Sequence, residues 1–369
     1  MTFHGGDVWQ VSRETGIAED EILDFSSSIN PRGLPQAARE RLARDAANPR
    51  LLGRYPDPSA RALRRALSAK LSVPEEAIVI GPGAEGMLSP ILRTIQAAQA
   101  LVPVPAFSEY RRVCAQSGIE FQGFPLCRSE NFRVPVARFC GQSAARKGAA
   151  VILNNPHNPS GAVLKDQEVR RIAEAARSAG ASLLLDEAFI DYVPGASLAS
   201  DAASNPGLIV LRSLTKFYGC PALRIGYAVA HPETARRIRE LLPTWGVAQL
   251  AIDALAMAIA DREYEELSIR ENDSERARLS PAIEALGIRV LPSGANYLLL
   301  DLPGGGPRAA DLRMRLLAEH RILIRNCDTY EAMETGRYIR VAVRSRGDNE
   351  RLTAGLAAIM TQASRVPQG

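Results

Sequence analysis

Lys216 lies at the end of an apolar run, in the segment RSLTKFYGCPALRIGY. Lysine is rare in this chain: of the 45 lysines and arginines, only residues 70, 147, 165 and 216 are lysine. A lysine at the end of a buried strand is costly unless its charge is paired or its amine is used in chemistry. Amines act as covalent catalysts by forming Schiff bases with carbonyl compounds. Lys216 is therefore either a surface lysine on a turn or a catalytic amine.

Three neighbouring features favour the catalytic interpretation. Ser213 precedes Lys216 by three residues and Arg224 follows it by eight, and both side chains are suited to bind a phosphate oxygen. Asp186 closes another apolar run, SLLLDEAF, where it either caps a turn or meets a ligand. In a site for pyridoxal phosphate (PLP), a buried carboxylate keeps the pyridine nitrogen protonated so that the ring acts as an electron sink.

Three further loops could complete such a site, although each is also ordinary turn or core sequence. The segment NNPHNPSG is rich in turn residues, and its functional interpretation is that Asn158 hydrogen-bonds the phenolic oxygen of the ring. The turn GPGAEG precedes an apolar helix, so the amides of Gly83, Ala84 and Glu85 could cradle a phosphate. Phe107, in VPAFSEY, could stack on a flat cofactor.

The elements that must position these residues alternate short apolar runs with amphipathic segments. The strand candidates are 77–80, 100–104, 149–153, 182–185, 208–211 and 225–229. Between several of them lie helical patterns such as KDQEVRRIAEAARSA. This alternation predicts an α/β domain with a largely parallel sheet. Ligands of such sheets bind at the carboxyl ends of the strands, which is where Asn158, Asp186 and Lys216 fall.

The pattern changes from about residue 235. A long helical region leads to ANYLLLDL, a helix near 308–319, RILIRN and YIRVAVRS. We predict a large domain over 36–235, with the mostly parallel sheet and the cofactor site. A smaller α+β domain is predicted from 1–35 together with 236–369.

Composition sets the broad class of protein. The chain is 46% hydrophobic and 23% charged, as in ordinary soluble globular proteins, and no apolar run reaches the roughly 18 residues that span a bilayer. The opening MTFHGGDVWQ lacks the features of a signal peptide, so a cytoplasmic protein is expected. Five widely spaced cysteines predict reduced thiols and no metal site. The net charge of +4 is spread along the chain, which argues against a nucleic-acid partner.

The motifs GPGAEG, PAFSEY, NPHNPSG, LLLDEAFIDY, SLTKFYGCPALRIGY and YIRVAVRS, in this order, resemble those of the class I/II aminotransferase-like enzymes. The resemblance runs over nearly the whole chain. It implies an α/β, aspartate-aminotransferase-like fold of PLP fold type I, and a homodimer.

The resemblance also implies roles. Lys216 would bind PLP as a Schiff base, Asp186 would pair with the pyridine nitrogen, and Asn158 would bind the ring oxygen. Phe107 would stack on the ring. The implied phosphate ligands are Ser213, Thr215, Arg224 and the amides of Gly83, Ala84 and Glu85, with Tyr55 reaching the phosphate of the neighbouring subunit. Arg340, in YIRVAV, would bind the substrate α-carboxylate.

One residue departs from the family pattern. Relatives such as histidinol-phosphate aminotransferases carry DEAY, with a tyrosine that bonds the ring oxygen. This chain has Phe189 there, so the resemblance implies that Asn158 acts alone at that oxygen.

The N-terminal segment HGGDVWQVSRETGIAEDEILDFSSSINPRGLP is similar to that of the threonine-phosphate decarboxylases of cobalamin synthesis. The segments DEAFID, LRSLTKFY, GANYLLL and RILIRNC are similar as well. In that subfamily the N-terminal histidine, here His4, helps to bind the substrate phosphate. Ser28 stands where the subfamily has an asparagine.

A phosphorylated amino acid brings a carboxylate and a phosphate, so its site needs at least two cationic groups beyond Arg224. Arg340 and Arg325 are the candidates, and Arg32 and Arg344 are further ones. Bidentate guanidinium groups suit both anions.

Three functions remain open from the sequence: a PLP-dependent decarboxylase of L-threonine O-3-phosphate, an aminotransferase such as one for histidinol phosphate, and a non-catalytic sensor. The two reactions differ in which bond of the substrate α-carbon stands perpendicular to the ring, and no single residue enforces either choice. The opening segment and Phe189 favour the decarboxylase, and intact Lys216, Asp186 and Asn158 disfavour the sensor.

Overall fold

The computed structural model describes residues 5–363. Its α-helices are α1 Val8–Thr15, α2 Gln36–Ala46, α3 Pro49–Leu52, α4 Arg61–Leu71, α5 Gly83–Ile95, α6 Ser108–Gln116, α7 Val136–Ala144, α8 Asp166–Ser178, α9 Ala199–Ser204, α10 Leu214–Phe217, α11 Pro232–Glu240, α12 Gln249–Ile259, α13 Arg262–Glu284, α14 Ala309–His320 and α15 Arg346–Ala363. The strands are β1 Leu23–Asp24, β2 Ile78–Gly81, β3 Gln99–Val104, β4 Glu120–Pro125, β5 Ala150–Asn154, β6 Ser182–Asp186, β7 Leu208–Ser213, β8 Gly226–Ala230, β9 Arg289–Val290, β10 Tyr297–Asp301, β11 Ile322–Leu323, β12 Arg325–Asn326 and β13 Tyr338–Ala342.

A seven-stranded sheet with the order β2-β8-β7-β6-β5-β3-β4 forms the centre of the larger part. Strands β3 to β7 pair in parallel, whereas β8 runs antiparallel to both β2 and β7. Because β8 is reversed, its first residue, Gly226, pairs with Ser213 and with Gly81 at the ends of their strands. The start of β8 therefore lies at the same edge as the carboxyl ends of the other strands.

The central strands are buried on both faces, as expected for a parallel sheet covered by helices. Leu183 and Leu185 of β6 contribute to one hydrophobic cluster, while Leu184 between them contributes to another on the opposite face. The alternation follows from the two-residue period of a strand. The sheet is thus the middle layer of an α/β sandwich, as the strand-helix alternation of the sequence predicts.

A second region contains a four-stranded antiparallel sheet, β12-β13-β10-β9. Helices α13, α14 and α15 pack against it around a core that includes Leu279, Leu316 and Leu356. The N-terminal segment joins this region, because β1 pairs with β11 and Phe25 lies in the same core. This is an α+β arrangement.

Helix α12 packs against α2 and α4, within the core of the large sheet. The domain limits at 35 and 235 stay a prediction. Helix α12 follows residue 235 in the chain but packs with the larger part of the structure.

The predicted strands coincide with β2, β3, β5, β6, β7 and β8 to within two residues at each end. The long helical region is three helices, α11 to α13. No helix among residues 5–363 is long and apolar enough to cross a membrane. All five cysteines are free thiols.

Candidate active site

A cavity of about 280 Å³ opens at the edge of the large sheet where the parallel strands end. Its lining includes Ser28, Gly83, Ala84, Glu85, Phe107, Asn158, Asp186, Ser213, Thr215, Lys216, Arg224, Arg325 and Arg340. Each of them ends or follows a strand of the large sheet, precedes β8, or belongs to the N-terminal segment or the four-stranded sheet. The sheet topology therefore gathers residues that are far apart in the sequence.

Lys216 lies in α10, the single helical turn that follows β7. The turn is anchored from behind, because the backbone amide of Asn30 donates to the Lys216 carbonyl at 3.0 Å and its side-chain amide donates to the Phe217 carbonyl at 2.8 Å. Burial, followed by the positive charges of Arg340 and Arg224, lowers the pKa of the Lys216 amine to about 8. A larger fraction of this amine is neutral near pH 7 than of an ordinary lysine.

Asp186 ends β6 and is buried. Its Oδ2 accepts a hydrogen bond from the Tyr110 hydroxyl at 2.5 Å, and its Oδ1 accepts one from the Ala188 amide at 2.9 Å. Burial raises the pKa of this carboxyl, whereas Tyr110, Ala188 and Lys216 act in the opposite direction. The carboxylate is held in one orientation at the wall of the cavity.

Asn158 lies in the loop after β5, and its backbone amide donates to Oδ1 of Asn154 at 2.7 Å. Its own Oδ1 accepts hydrogen bonds from Arg340 Nη1 at 2.5 Å and from the Tyr330 hydroxyl at 3.0 Å. The loop is thus fixed to the sheet on one side and to the smaller region on the other.

The N-terminus of α5 meets the start of β8 closely enough to form an anion cradle. Gly83 has φ of +77°, and a Cβ on Gly226 would lie only 2.7 Å from the Ala84 nitrogen, so glycine is required at both positions. Arg224 places its guanidinium beside Gly83, and the Ser213 hydroxyl lies 2.8 Å from that of Thr215. Amides of a helix N-terminus, hydroxyls and a guanidinium together suit a phosphate group.

A second set of groups faces the cavity from the N-terminal segment and the smaller sheet. Arg340 and Arg325 are buried, and Arg340 Nη2 donates to the Ser26 carbonyl at 3.2 Å. The Ser28 hydroxyl is also buried and has no hydrogen-bond partner among the described residues. Two guanidinium groups, and a hydroxyl that pairs with no described residue, give this side of the cavity the chemistry to bind anionic groups.

Some predicted residues lie elsewhere. Tyr55 is 78% exposed and stacks on Trp245, with ring centroids 4.4 Å apart, and it is not part of the cavity lining. Arg32 and Arg344 line a separate cavity, where they pair with Glu271 and Asp348 respectively. His4 lies outside the described residues, although the neighbouring Gly5 lines the site.

Sequence reasoning missed Tyr110, Asn154 and Tyr330, which orient Asp186 and Asn158. Tyr110 stands three residues after Phe107 on α6, so a search along that helix could have found it. Nothing in the sequence around Tyr330 points to Asn158, because the two residues are 172 positions apart.

The donor set fits PLP. The cradle at α5 and Arg224 suits its phosphate, the fixed Asp186 carboxylate suits a protonated pyridine nitrogen, and Lys216 offers an amine with a lowered pKa to its aldehyde. Phe107 lines the same cavity and makes an edge contact with Tyr110 at a centroid distance of 5.7 Å. These residues fit the group in charge and in hydrogen-bonding character.

Comparisons with known proteins agree with this fit. The chain is 35% identical to threonine-phosphate decarboxylase of Salmonella typhimurium over 97% of its own length and 96% of the relative. It is 29% identical to histidinol-phosphate aminotransferase of an Anaeromyxobacter species, with coverage of 96% and 95%. The crystal structure of L-threonine-O-3-phosphate decarboxylase from Porphyromonas gingivalis matches with a TM-score of 0.79 and 25% identity, over 91% of this chain and 99% of that one.

The family model for aminotransferase class I and II matches residues 20–359, which include all of the described cavity residues except Gly5. With this match and the Salmonella relative at 35% identity, the chain belongs to the aminotransferase class I and II family.

Proposed function

We propose that this chain is a PLP-dependent carboxy-lyase that converts L-threonine O-3-phosphate to (R)-1-aminopropan-2-yl phosphate and CO2 in cobalamin biosynthesis. The observation that carries the proposal is the pair of buried guanidinium groups, Arg325 and Arg340, on a cavity that has its own phosphate cradle. The substrate carries two anionic groups, a carboxylate and a phosphate, whereas histidinol phosphate carries one. Two cations outside the cradle match these two anionic groups, and the 35% identity to threonine-phosphate decarboxylase of Salmonella typhimurium favours this substrate over histidinol phosphate.

PLP supplies an electron sink for the pair of electrons left at the α-carbon when CO2 departs. Asp186 would hold a proton at the pyridine nitrogen, and Asn158 would donate to the ring oxygen. The cradle residues Ser213, Thr215 and Arg224, with the amides at the start of α5, would bind the cofactor phosphate. Phe107 would pack on the ring.

Lys216 has two tasks in this proposal. Its neutral amine would attack the cofactor aldehyde and so attach the cofactor covalently, and, once released by the substrate, its protonated form would deliver a proton to the α-carbon of the substrate. A pKa of about 8 allows both protonation states near neutral pH. Arg340 would bind the substrate carboxylate, and Arg325, Ser28 and His4 would bind the substrate phosphate.

We also propose a cytoplasmic homodimer with two domains in each subunit. Tyr55 supports the dimer, because a stacked aromatic pair that is exposed in the single chain is suited to an interface. In the dimer, Tyr55 would reach the cofactor phosphate of the neighbouring subunit. Sedimentation of the PLP-loaded protein tests the proposed homodimer. A monomer that retains full activity would contradict the homodimer and the role of Tyr55 in it.

The substrate proposal is tested by comparing related amino acids. Carboxyl loss is measured with L-threonine O-3-phosphate, L-serine O-phosphate and L-threonine under the same conditions. The kcat/KM for L-threonine is expected to be lower by about 100-fold or more, because L-threonine lacks the phosphate group that Arg325 and Ser28 would bind. Equal rates with L-threonine would overturn the assignment of the phosphate site.

A further inference from the structure

Tyr330 is a buried residue of the loop after β12, and its hydroxyl reaches across to the large sheet region. The hydroxyl donates to Oδ1 of Asn158 at 3.0 Å and accepts from Arg340 Nη1 at 3.3 Å. The Arg325 guanidinium lies over the Tyr330 ring, 5.6 Å from its centroid. Tyr330 therefore contacts three residues of the cavity.

The contacts decide which end of the Asn158 amide faces the cavity. A guanidinium only donates hydrogen bonds, so the oxygen of the amide, and not its NH2 group, must face Arg340. Tyr330 donates to the same oxygen. The Nδ2 group has no hydrogen-bond partner among residues 5–363, and because Asn158 lines the cavity, this NH2 group is available there as a donor.

This orientation matters because Phe189 offers no hydroxyl. Its ring packs on Tyr297, with centroids 5.0 Å apart, and also lines the cavity. An acceptor bound there, such as the ring oxygen of PLP, depends on the Asn158 NH2 group. A rotated amide would present its oxygen and repel that acceptor.

We propose that Tyr330 is a positioning residue, which together with Arg340 fixes the Asn158 amide so that its NH2 group donates to the ring oxygen of PLP. The proposal rests on the proposed function only for the identity of the cofactor. It makes Tyr330 a residue that acts on the cofactor through Asn158.

The test is a pH titration of the visible absorbance of PLP-loaded protein carrying Tyr330→Phe. A donor at the ring oxygen stabilises negative charge there and so lowers the proton affinity of the conjugated nitrogen. Loosening that donor is expected to raise the titration midpoint by about 0.5 to 1 pH unit, with cofactor stoichiometry unchanged. Tyr338→Phe is the matched control, because Tyr338 is buried two positions before Arg340 and packs on Phe132. It is expected to titrate like the unchanged protein.

A double-mutant cycle separates positioning from a direct contact. In an Asn158→Ala background, Tyr330→Phe is expected to add no further shift, because the residue through which it acts is gone. An undiminished shift in that background would overturn the proposal. So would an unshifted midpoint in Tyr330→Phe alone, or a failure of that variant to load PLP, since the cradle and Lys216 are intact in it.

The titration is independent of the reaction that the enzyme catalyses. If L-threonine O-3-phosphate is not decarboxylated while the midpoint still shifts, the proposed function fails and the role of Tyr330 stands. If decarboxylation proceeds and the midpoint does not move, the proposed function stands and the proposed role of Tyr330 fails.

Discussion

The Tyr110 hydroxyl donates a hydrogen bond of 2.5 Å to Oδ2 of Asp186 inside the core of the large sheet region. Both residues are buried, and burial raises the pKa of each. The two ionisable side chains thus form a buried hydrogen bond at the wall of the active-site cavity. Its geometry explains how a carboxylate at the end of β6 keeps one orientation although no cationic group among residues 5–363 is in direct contact with it.

Replacing Tyr110 with phenylalanine should weaken the site without abolishing it. The loss of one hydrogen bond to a charged acceptor costs about 1.5 to 3 kcal/mol, which corresponds to roughly a 10- to 150-fold loss in PLP affinity or kcat. Equilibrium binding of PLP to the apoprotein measures the first quantity. Tyr227→Phe, a buried change on β8, is the control. An unchanged affinity in Tyr110→Phe would contradict the role of the contact.

The lowered pKa of Lys216 predicts how cofactor loading depends on pH. Only the neutral amine attacks an aldehyde, so the loading rate should rise with pH and level off above about 8, rather than above the ordinary 10.5. Arg340→Met removes a positive charge that lowers this pKa, and the midpoint should move upward. Stopped-flow absorbance of apoprotein mixed with PLP measures both midpoints. A rate that still climbs through pH 10 in the unchanged protein would refute the lowered pKa.

Lys216→Ala should lose the visible absorbance band of the bound cofactor and nearly all turnover, because alanine has no amine for the covalent link. Lys165→Ala, on the solvent side before α8, is the matched change and should retain both. A band that persists in Lys216→Ala would show that another group holds the cofactor.

Arg340→Lys should lower kcat/KM by about 100-fold, because an ammonium cannot reproduce the bidentate contact of a guanidinium with a carboxylate. The exposed Arg346 forms an ion pair with Glu350, and Arg346→Lys serves as the control. Steady-state kinetics with L-threonine O-3-phosphate separate the two variants. Equal kcat/KM values for the two variants would show that Arg340 does not bind the substrate carboxylate.

A buried ion cluster next to the active site supports the fold. Arg212 on β7 pairs with Asp191 at 2.6 Å and with Glu187 at 3.5 Å, and all three side chains are largely buried. Arg212→Met leaves two carboxylates uncompensated and should lower the free energy of unfolding by about 3 to 5 kcal/mol. Urea denaturation measures this free energy of unfolding. The exposed Arg177 is the comparison, and Arg177→Met should leave the midpoint unchanged; similar midpoints for both variants would contradict the prediction.

The sequence predicted most of the large sheet, because β5, β6 and β7 are continuous apolar runs that end in polar residues. It missed β4, an exposed edge strand with Gly123 and Pro125, which carries little of that signal. The residues placed at the strand ends also line one cavity, since the sheet order alone brings those ends together.

What the sequence could not supply is the set of contacts between distant elements. Tyr110 meets Asp186 because α6 packs across the sheet, and Tyr330 meets Asn158 because the smaller sheet region closes against the larger one. Such contacts depend on packing geometry and not on local pattern. The role of Tyr55 stays a prediction, since it concerns a second subunit.

The most direct test of the central claim is CO2 release from L-threonine O-3-phosphate by PLP-loaded protein in the absence of any keto acid. A decarboxylase releases CO2 over many turnovers, with one 1-aminopropan-2-yl phosphate formed for each CO2, and this is the expected result. No CO2, together with glutamate formed from histidinol phosphate and 2-oxoglutarate, would contradict it and identify an aminotransferase.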